Sequence, residues 1–480
     1  MWMLTLTSAR LQETEQDIAR LFREGRMTDV LRTAQDRMER RDTNASRRCD
    51  LGGLVLHLSL AAGREEEAEE LAQKMPRLYE TVSRPAVRLL SSLDQGAMCL
   101  ALNRPGRGAQ AFNLVADDEA APAKLRVEAL AGLSIAMHKV GEYRRAALSL
   151  QGARELARGE GLEQQVALLD GLGLDLAMRY WLRSCEEFDD VPLPQEVCML
   201  AGRREGESLQ ACAERIEHAL EEVAPAARRL TFLAALMARD ATPAALACAV
   251  QNQLRWLREQ HLSAVESESR IESALGFTMR RDFRAAVELL GEWISDDQQV
   301  VRHRHSLDLR SCLSRLHALQ GRHGEALRVY KEYSRLAMET IQREVSLLPY
   351  SRFLERQETA SQADAPQMRL PLRYRRAYQF IIERLDDRDL SIRQVAAHID
   401  VTERALQMAF RTYLGMTPAE LIRRHRIDRI RNELRRGHQQ ATVIEIAQRW
   451  GMGKRSTLAQ NYRQQFSETP TATLRGSGTD

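Results

Sequence analysis

The stretch Ser391-Ile392-Arg393-Gln394-Val395-Ala396 is repeated in pattern by Thr442-Val443-Ile444-Glu445-Ile446-Ala447. Each copy opens on a hydroxyl side chain with Gln or Glu three positions later, which is the arrangement of a capping box at a helix start. Each then carries an apolar residue followed by alanine, which favours one buried helix face. The sequence therefore predicts two helices that begin in the same way.

A tight turn and a second helix follow each copy. The turns are Asp400-Val401-Thr402 and Gly451-Met452-Gly453, and glycine adopts a left-handed backbone at no steric cost while aspartate tolerates it. Helix, short turn and helix, present twice, predict a tandem helix-turn-helix. The second helices also match in their core-facing residues, which are Leu406 and Phe410 in the first copy and Leu458 and Tyr462 in the second. Each copy ends with a Thr-Pro dipeptide, Thr417-Pro418 in the first and Thr469-Pro470 in the second.

This region, about the last quarter of the chain, resembles the DNA-binding domain of the AraC/XylS family of bacterial transcription regulators. A single helix-turn-helix pattern also occurs in ordinary helical cores, but here two capping boxes, two turns and two Thr-Pro closures coincide. The resemblance implies binding to double-stranded promoter DNA and activation through contact with RNA polymerase. A helical hairpin domain that touches no DNA is the alternative.

The second helix of each copy is the predicted recognition helix, and the first begins at Thr402 as its N-cap. Its non-core face carries arginine, glutamine and methionine, which can contact guanine, adenine and the thymine methyl group respectively. By resemblance, the base-contacting positions are Arg404, Gln407, Met408, Ser456, Ala459 and Gln460. The predicted phosphate contacts are Arg411, Lys454, Arg455 and Arg463.

Residues 418–436 are predicted to form a helix that connects the two halves. About 19 residues give roughly 28 Å of helix, and one turn of DNA is about 34 Å. Such a connector can hold two recognition helices in successive major grooves, which predicts an asymmetric site of about two turns. Its apolar stripe is Leu421, Ile422, Ile427, Ile430 and Leu434, and its seven arginines are expected to contact phosphate or to pair with acids such as Asp428 and Glu433.

The charge distribution agrees with a DNA-binding segment at the C-terminal end. The 480 residues carry a net charge of +3, yet residues 370–480 contain 20 Lys and Arg against 12 Asp and Glu. That segment has a net charge of +8, which leaves −5 on the remainder. A basic segment beside a mildly acidic body is typical of a DNA-binding domain attached to a sensing or protein-binding domain.

From about Leu11 to Leu348 the sequence predicts helical hairpins. A recurring pattern places Gly or Arg five residues before an alanine, as in Gly63 with Ala68, Arg104 with Ala109, Gly141 with Ala146, Arg281 with Ala286 and Gly321 with Ala326. A bulky residue follows four positions after the alanine at Leu150, Leu290 and Tyr330. The spacing resembles tetratricopeptide repeats, although half of that signature is missing, and an irregular helical bundle is the alternative.

The predicted fold is therefore all-α, with a tetratricopeptide-like helical-repeat body over residues 1–356 and an AraC-type double helix-turn-helix over residues 372–480. Residues 357–371, rich in Gln, Ser, Thr and Ala, are the predicted linker. The repeat body predicts a surface for a regulatory protein or peptide. A homodimer is left open.

The sequence contains no phosphate-binding loop, nucleophile elbow or HExxH motif. We therefore expect no enzyme activity, no metal and no cofactor. The seven cysteines are scattered without a CxxC pair, and no signal peptide or membrane span is evident, so we expect a cytoplasmic protein.

The sequence favours a transcription activator of the AraC/XylS family. Its architecture and length resemble the HrpB/HrpX group, which activates virulence and type III secretion genes. A repeat scaffold or chaperone-like adaptor with a degenerate DNA-binding segment is the main alternative, and a small-molecule sensor is a third.

Overall fold

Helices are the only regular elements in the part of the chain that the structure describes. This computed structural model describes residues 2–8, 16–40, 43–78, 83–184, 193–203, 207–294, 300, 303, 305–356, 370–435, 442–452, 455–466 and 468–476. Within these ranges it leaves out the side chains of residues 45, 46, 76–78, 292, 372, 432, 435, 455–457, 475 and 476. The predicted all-α fold is confirmed. The chain forms two compact units, Met1–Leu354 and Glu355–Asp480.

The first unit is built from helices that pack against their neighbours in the chain around one extended apolar core. Short turns join most of them, so successive helices form hairpins. In chain order they are α1 Trp2–Thr7, α2 Gln16–Arg23, α3 Met27–Glu39, α4 Ala45–Ala61, α5 Glu65–Leu78, α6 Arg84–Ala101, α7 Pro105–Ala116, α8 Ala123–Lys139, α9 Tyr143–Gly159, α10 Glu163–Ser184, α11 Gln195–Leu200, α12 Leu209–Ala219, α13 Ala224–Met237, α14 Pro243–Glu259, α15 Ser263–Met279, α16 Phe283–Leu290, a 3₁₀ helix Gly291–Ile294, α17 Ser306–Leu319 and α18 His323–Val345.

A residue with left-handed backbone marks the turn of each predicted hairpin. Three of these residues are the expected glycines Gly63, Gly141 and Gly321, where glycine has no steric penalty, and Gly25 before α3 is left-handed in the same way. Arg281 adopts the same conformation with φ of 60°. The alanines five positions later are buried where two helices approach: Ala68, Ala146, Ala286 and Ala326. The helical-hairpin body predicted from this pattern is confirmed.

The register of one predicted turn is wrong by one residue. The left-handed residue of the third turn is Asn103 with φ of 56°, and Arg104 is the N-cap residue that follows it. The position equivalent to the buried alanines is therefore Gly108, and Ala109 is buried one place further on. At the bulky position four residues after the alanine, Leu150 and Leu290 are buried, whereas Tyr330 of α18 is 53% exposed.

The less regular region from about residue 161 to 265 also folds as short-turned helices. Left-handed residues occur at Gly161, Gly202 and His261, each just before the next described helix or loop. The expected helix start at Pro243 is present, with the Thr242 hydroxyl accepting a hydrogen bond from the Ala245 amide at 3.2 Å. The expected loop around residues 189–192 lies outside the described residues.

A buried cluster of charges joins α10, α13 and α15. Arg229 is 2% exposed and donates to Asp175 at 2.7 Å and to Glu272 at 2.6 and 2.8 Å. Arg179 pairs with the same two acids and with Glu268. Burial alone would lower the pKa of Arg229, but the carboxylates of Glu272 and Asp175 raise it well above its ordinary value. Each buried charge is compensated, as burial requires.

The second unit contains seven further helices, α19 Leu372–Glu383, α20 Ile392–His398, α21 Glu403–Leu414, α22 Pro418–Arg435, α23 Val443–Arg449, α24 Arg455–Phe466 and α25 Pro470–Gly476. It has two apolar cores. Leu406 and Phe410 lie in the first, and Leu458 and Tyr462 lie in the second, as the sequence predicted. The predicted linker lies mostly outside the described residues, which resume at Leu370.

No helix in the described ranges is long and apolar enough to cross a membrane. The six cysteines that the structure describes are free thiols.

Candidate nucleic-acid interface

The first helix-turn-helix consists of α20, a tight turn and α21. Ser391 and Gln394 form the predicted capping box: the Gln394 amide donates to the Ser391 hydroxyl at 3.3 Å, and the Ser391 amide donates to the Gln394 side chain at 2.8 Å. Asp400 has φ of 52°, and the Val401 amide closes the turn on the Ala396 carbonyl at 3.0 Å. The turn therefore aims the next helix away from α20.

Helix α21 is the helix predicted to read DNA in the first half, and Thr402 is its N-cap as predicted. The Thr402 hydroxyl accepts from the Ala405 amide at 3.2 Å. Leu406 and Phe410 are fully buried, so the core fixes the rotation of the helix. The opposite face is exposed and carries four predicted contact residues at positions i, i+3, i+4 and i+7: Arg404, Gln407, Met408 and Arg411. Met408 is 64% exposed.

The second helix-turn-helix consists of α23, a turn and α24. Thr442 and Glu445 form the second capping box, with amide-to-side-chain distances of 2.6 and 3.3 Å. The hydrogen bonds that Thr442 donates lower the pKa of Glu445. Gly451 is left-handed, and the Met452 amide donates to the Ala447 carbonyl at 2.8 Å. This is the same turn bond as in the first half.

Helix α24, predicted to read DNA in the second half, is oriented by the burial of Leu458 and Tyr462. Among its predicted contact residues, Gln460 and Arg463 are exposed and Ala459 is half-buried. Lys454 and the side chains of Arg455 and Ser456 lie outside the described residues. The predicted site residues of each half whose side chains are described thus share one helix face.

Helix α22 is the connector, with 18 residues where 19 were expected. It begins at a third box, in which the Thr417 amide donates to Glu420 at 2.6 Å and the Glu420 amide to the Thr417 hydroxyl at 3.2 Å. Its predicted apolar stripe is buried: Leu421, Ile422, Ile427, Ile430 and Leu434.

The arginines of the connector do not all face solvent. Arg431 lies over the ring of Phe466 at 4.0 Å and pairs with Glu468 at 3.0 Å. Glu433 pairs with Arg449 of α23 at 3.1 Å. The connector therefore uses part of its charge to hold neighbouring helices, while Arg423, Arg424 and Arg429 are exposed.

Arg426 has a structural role, although it was expected, like the other connector arginines, to contact phosphate or to pair with an acid. It is 8% exposed, and its guanidinium donates to the carbonyls of Leu385 at 3.0 Å and Asp387 at 2.5 Å. Burial lowers its pKa. A Cβ on Gly451 would lie 2.7 Å from its Nη1, so Arg426 also touches the second turn. Its position four residues from both Ile422 and Ile430 places it on the buried stripe.

Trp450, at the end of α23, packs against both apolar cores. Together with Arg426 it joins the two halves across the connector. The two halves therefore pack together within one compact unit.

The arrangement suits readout of a duplex. Arginine and glutamine can make paired hydrogen bonds to guanine and adenine in the major groove, and exposed arginines around them can bind phosphates. The described residues contain no group of three metal-ligating side chains.

Comparison with known proteins also supports a DNA-binding role for this region. A family model described as a helix-turn-helix domain matches residues 395–476, which include α21–α25. The regulatory protein HrpB of Ralstonia nicotianae is 30% identical over 424 residues, covering 85% of this chain and 86% of that protein. No solved structure matches the chain.

Two further relatives match the C-terminal region alone. A probable thc operon regulatory protein of Rhodococcus erythropolis is 37% identical over 87 residues, which are 18% of this chain and 26% of that protein. A XylDLEGF operon transcriptional activator of Pseudomonas putida is 33% identical over 103 residues, which are 21% of this chain and 31% of that protein. With HrpB matching along most of both sequences, the chain belongs to the HrpB family of AraC/XylS-type transcription regulators.

Proposed function

We propose that this protein activates virulence genes, including those for type III secretion, by binding two successive major grooves upstream of their promoters. That it is a DNA-binding transcriptional activator of AraC/XylS type follows from its family. The observation that supports the two-groove mode is the joining of both halves by one connector helix through Arg426 and Trp450. An 18-residue helix spans about 27 Å, which is close to the roughly 34 Å of one DNA turn.

Within this proposal, the first half supplies base contacts through Arg404, Gln407 and Met408, and the second supplies them through Ser456, Ala459 and Gln460. Phosphates would be held by Arg411, Lys454, Arg455 and Arg463. Among these residues, the exposed side chains of Arg404, Gln407, Met408, Arg411, Gln460 and Arg463 support these roles, while Ala459 is half-buried.

We assign the other functions by domain. Residues 1–356 would bind a regulatory protein or peptide, 357–371 would act as a linker, and 372–480 would bind DNA and contact RNA polymerase. The protein would act in the bacterial cytoplasm, where promoter DNA is found, and without catalysis of its own, since the relatives are regulators.

Selection of binding sites from random duplexes, followed by gel shifts at several salt concentrations, tests the DNA-binding mode. The selected site should contain two half-sites about one helical turn apart. The Arg404→Ala variant should lose about 1–3 kcal/mol of specific affinity and relax base preference at one position. Arg376→Ala, an exposed arginine of α19, is the matched control and should bind like wild type.

Binding that ignores both duplex sequence and the Arg404→Ala change would reject this function in favour of a repeat scaffold with a degenerate DNA-binding unit. The virulence role has a separate test. Deletion of the gene should lower transcripts of type III secretion genes, and only a protein with Arg404 intact should restore them.

A further inference from the structure

In four turns of the repeat body, an arginine follows the left-handed residue and directly precedes the next helix. The four arginines are Arg26, Arg64, Arg104 and Arg322, which come directly after Gly25, Gly63, Asn103 and Gly321. Each is the N-cap of the next helix or lies at the same place before it. The fold therefore presents the same side chain in the same local geometry four times.

Three of these arginines pair with an acid three residues later. Arg26 contacts Asp29 at 2.6 Å, Arg64 contacts Glu67 at 3.5 Å, and Arg322 contacts Glu325 at 3.8 Å. A negative side chain in the first helical turn is also favourable beside the helix N-terminus. An acid three residues later thus neutralises the arginine in three of these four turns.

The turn at Asn103 is the exception among the four. The residue three positions after Arg104 is a second arginine, Arg107, and both side chains are exposed. Like charges at this spacing repel each other. Neither arginine has an ion pair with any residue that the structure describes.

A third arginine is brought to the same place by close packing between α7 and α18. The Gly106 amide donates to the Glu344 carboxylate at 2.9 Å, and a Cβ on Gly106 would overlap the Glu344 carbonyl oxygen. This contact seats Arg343, the neighbouring residue of α18, at the start of α7. The acid itself is 2% exposed and is committed to the Gly106 amide and to Arg343 at 3.4 Å.

The three arginines line one open cleft of about 670 Å³. Asn103, Thr340 and Ser346 add hydrogen-bonding groups to the lining, and leucines from α17 and α18 supply apolar surface. Glu344 is the one acid among the described lining residues, so arginine charge is in excess. Pockets for small ligands typically measure about 300–1,000 Å³.

We propose that Arg104, Arg107 and Arg343 form a binding site for a small polyanion that carries phosphate or carboxylate groups. Guanidinium groups bind these oxyanions through paired, charge-assisted hydrogen bonds. The ligand supplies the negative charge that Asp29, Glu67 and Glu325 supply in the other turns. The site gives the repeat body a place to receive a small-molecule effector.

Calorimetric titration of the full chain with inorganic pyrophosphate, and separately with citrate, tests the site at an ionic strength held constant with NaCl. Wild type should bind at least one of them saturably, and the probe preferred distinguishes phosphate from carboxylate chemistry. The double variant Arg104→Gln/Arg107→Gln should weaken that binding about tenfold or more. Arg343→Gln should weaken it in the same direction.

Arg64→Gln is the matched control, because it removes an arginine from the same turn position where an acid already pairs with it. It should bind the anion like wild type. Without ligand, the double variant should have a Tm no lower than wild type, since repulsion is relieved. The proposal would be overturned if wild type showed no saturable binding, or if Arg64→Gln lost as much affinity as the double variant. It would also be overturned if the double variant bound like wild type, because the anion would then bind elsewhere, for example on the basic DNA-binding unit.

Discussion

The two halves of the DNA-binding unit share a backbone plan but present different surfaces. Both close their turn with the same amide-to-carbonyl bond, at 3.0 Å from Val401 and 2.8 Å from Met452. The outward positions of α21 are the long side chains of Arg404, Gln407 and Met408. The matching positions of α24 are serine, alanine and glutamine. The fold is duplicated while the chemistry has diverged, so we expect the first half to contribute more base discrimination.

The second half also differs in the length of its turn and in the contacts that hold α24 in place. Five positions separate Val401 from Leu406, whereas six separate Met452 from Leu458, so the second turn is one residue longer. Polar contacts secure α24: Tyr462 bonds Thr473 at 2.8 Å and Gln465 donates to Asp428 of the connector at 2.5 Å.

The largest effect should come from the residue that serves both halves. Arg426→Ala leaves the carbonyls of Leu385 and Asp387 without their charged donor and opens space beside Gly451. We expect a loss of about 2–3 kcal/mol in the unfolding free energy of this unit. Hydrogen exchange of peptides within 370–476 should show lower protection in both halves, and gel shifts should show weaker binding.

Arg429→Ala provides the control on the same helix, because Arg429 is exposed. Its effect on stability should stay within about 0.5 kcal/mol. Loss of protection restricted to one half in Arg426→Ala would show that the halves are not coupled through this side chain.

Substituting the two exposed glutamines, Gln407 and Gln460, tests whether the first half contributes more to base readout than the second. Gln407→Ala should cost about 1–3 kcal/mol of specific binding, because its amide can pair with adenine. Gln460→Ala should cost less, because the other contact positions of α24 are serine and alanine and this half is expected to contribute less to base readout. Affinities for the selected site and for a scrambled duplex give the comparison. A larger loss for Gln460→Ala would reverse the assignment of specificity to the first half.

The sequence predicted what depends on neighbours in the chain. Capping boxes, left-handed turns and i, i+4 core pairs are local, so Ser391 with Gln394 and Leu406 with Phe410 were found correctly. The family resemblance supplied the contact positions, which no local rule identifies. Those positions remain predictions until DNA binding is measured.

Contacts between distant residues were missed. Arg229 meets Asp175 and Glu272 from positions 54 and 43 residues away, and no spacing rule brings these three together. Arg426 was grouped with the connector arginines expected to contact phosphate or to pair with acids, because a helix rich in arginine suggests DNA; instead it is buried against two carbonyls. The sequence did contain a sign of its burial, because Arg426 lies four residues from both Ile422 and Ile430 and therefore on the same helix face. The helix face on which a residue lies predicts burial better than the overall composition of the helix does.

A smaller effect should separate the two cores. Tyr462→Phe removes the hydroxyl that forms a hydrogen bond with Thr473. It also gives the second core the same residue as the first core, where Phe410 occupies the matching position. We expect a cost of about 0.5–1.5 kcal/mol in stability. The reciprocal Phe410→Tyr buries a hydroxyl in an apolar core and should cost more, about 1–3 kcal/mol. Hydrogen exchange of the 392–414 and 443–466 peptides measures both; equal losses would mean that the two cores are interchangeable.

The smallest effect concerns the capping boxes and depends on pH. The first half uses Gln394, which does not titrate, whereas the second uses Glu445, whose pKa is lowered by the hydrogen bonds from Thr442. A carboxyl with a depressed pKa in the folded state stabilises above its unfolded pKa of about 4.3, and this stabilisation is lost as pH falls through the folded pKa. Below about pH 4, protection of α23 should therefore decrease before protection of α20. Glu445→Gln should remove that difference and Gln394→Glu should confer it on the first half; identical acid profiles in all three proteins would show that the boxes do not distinguish the halves.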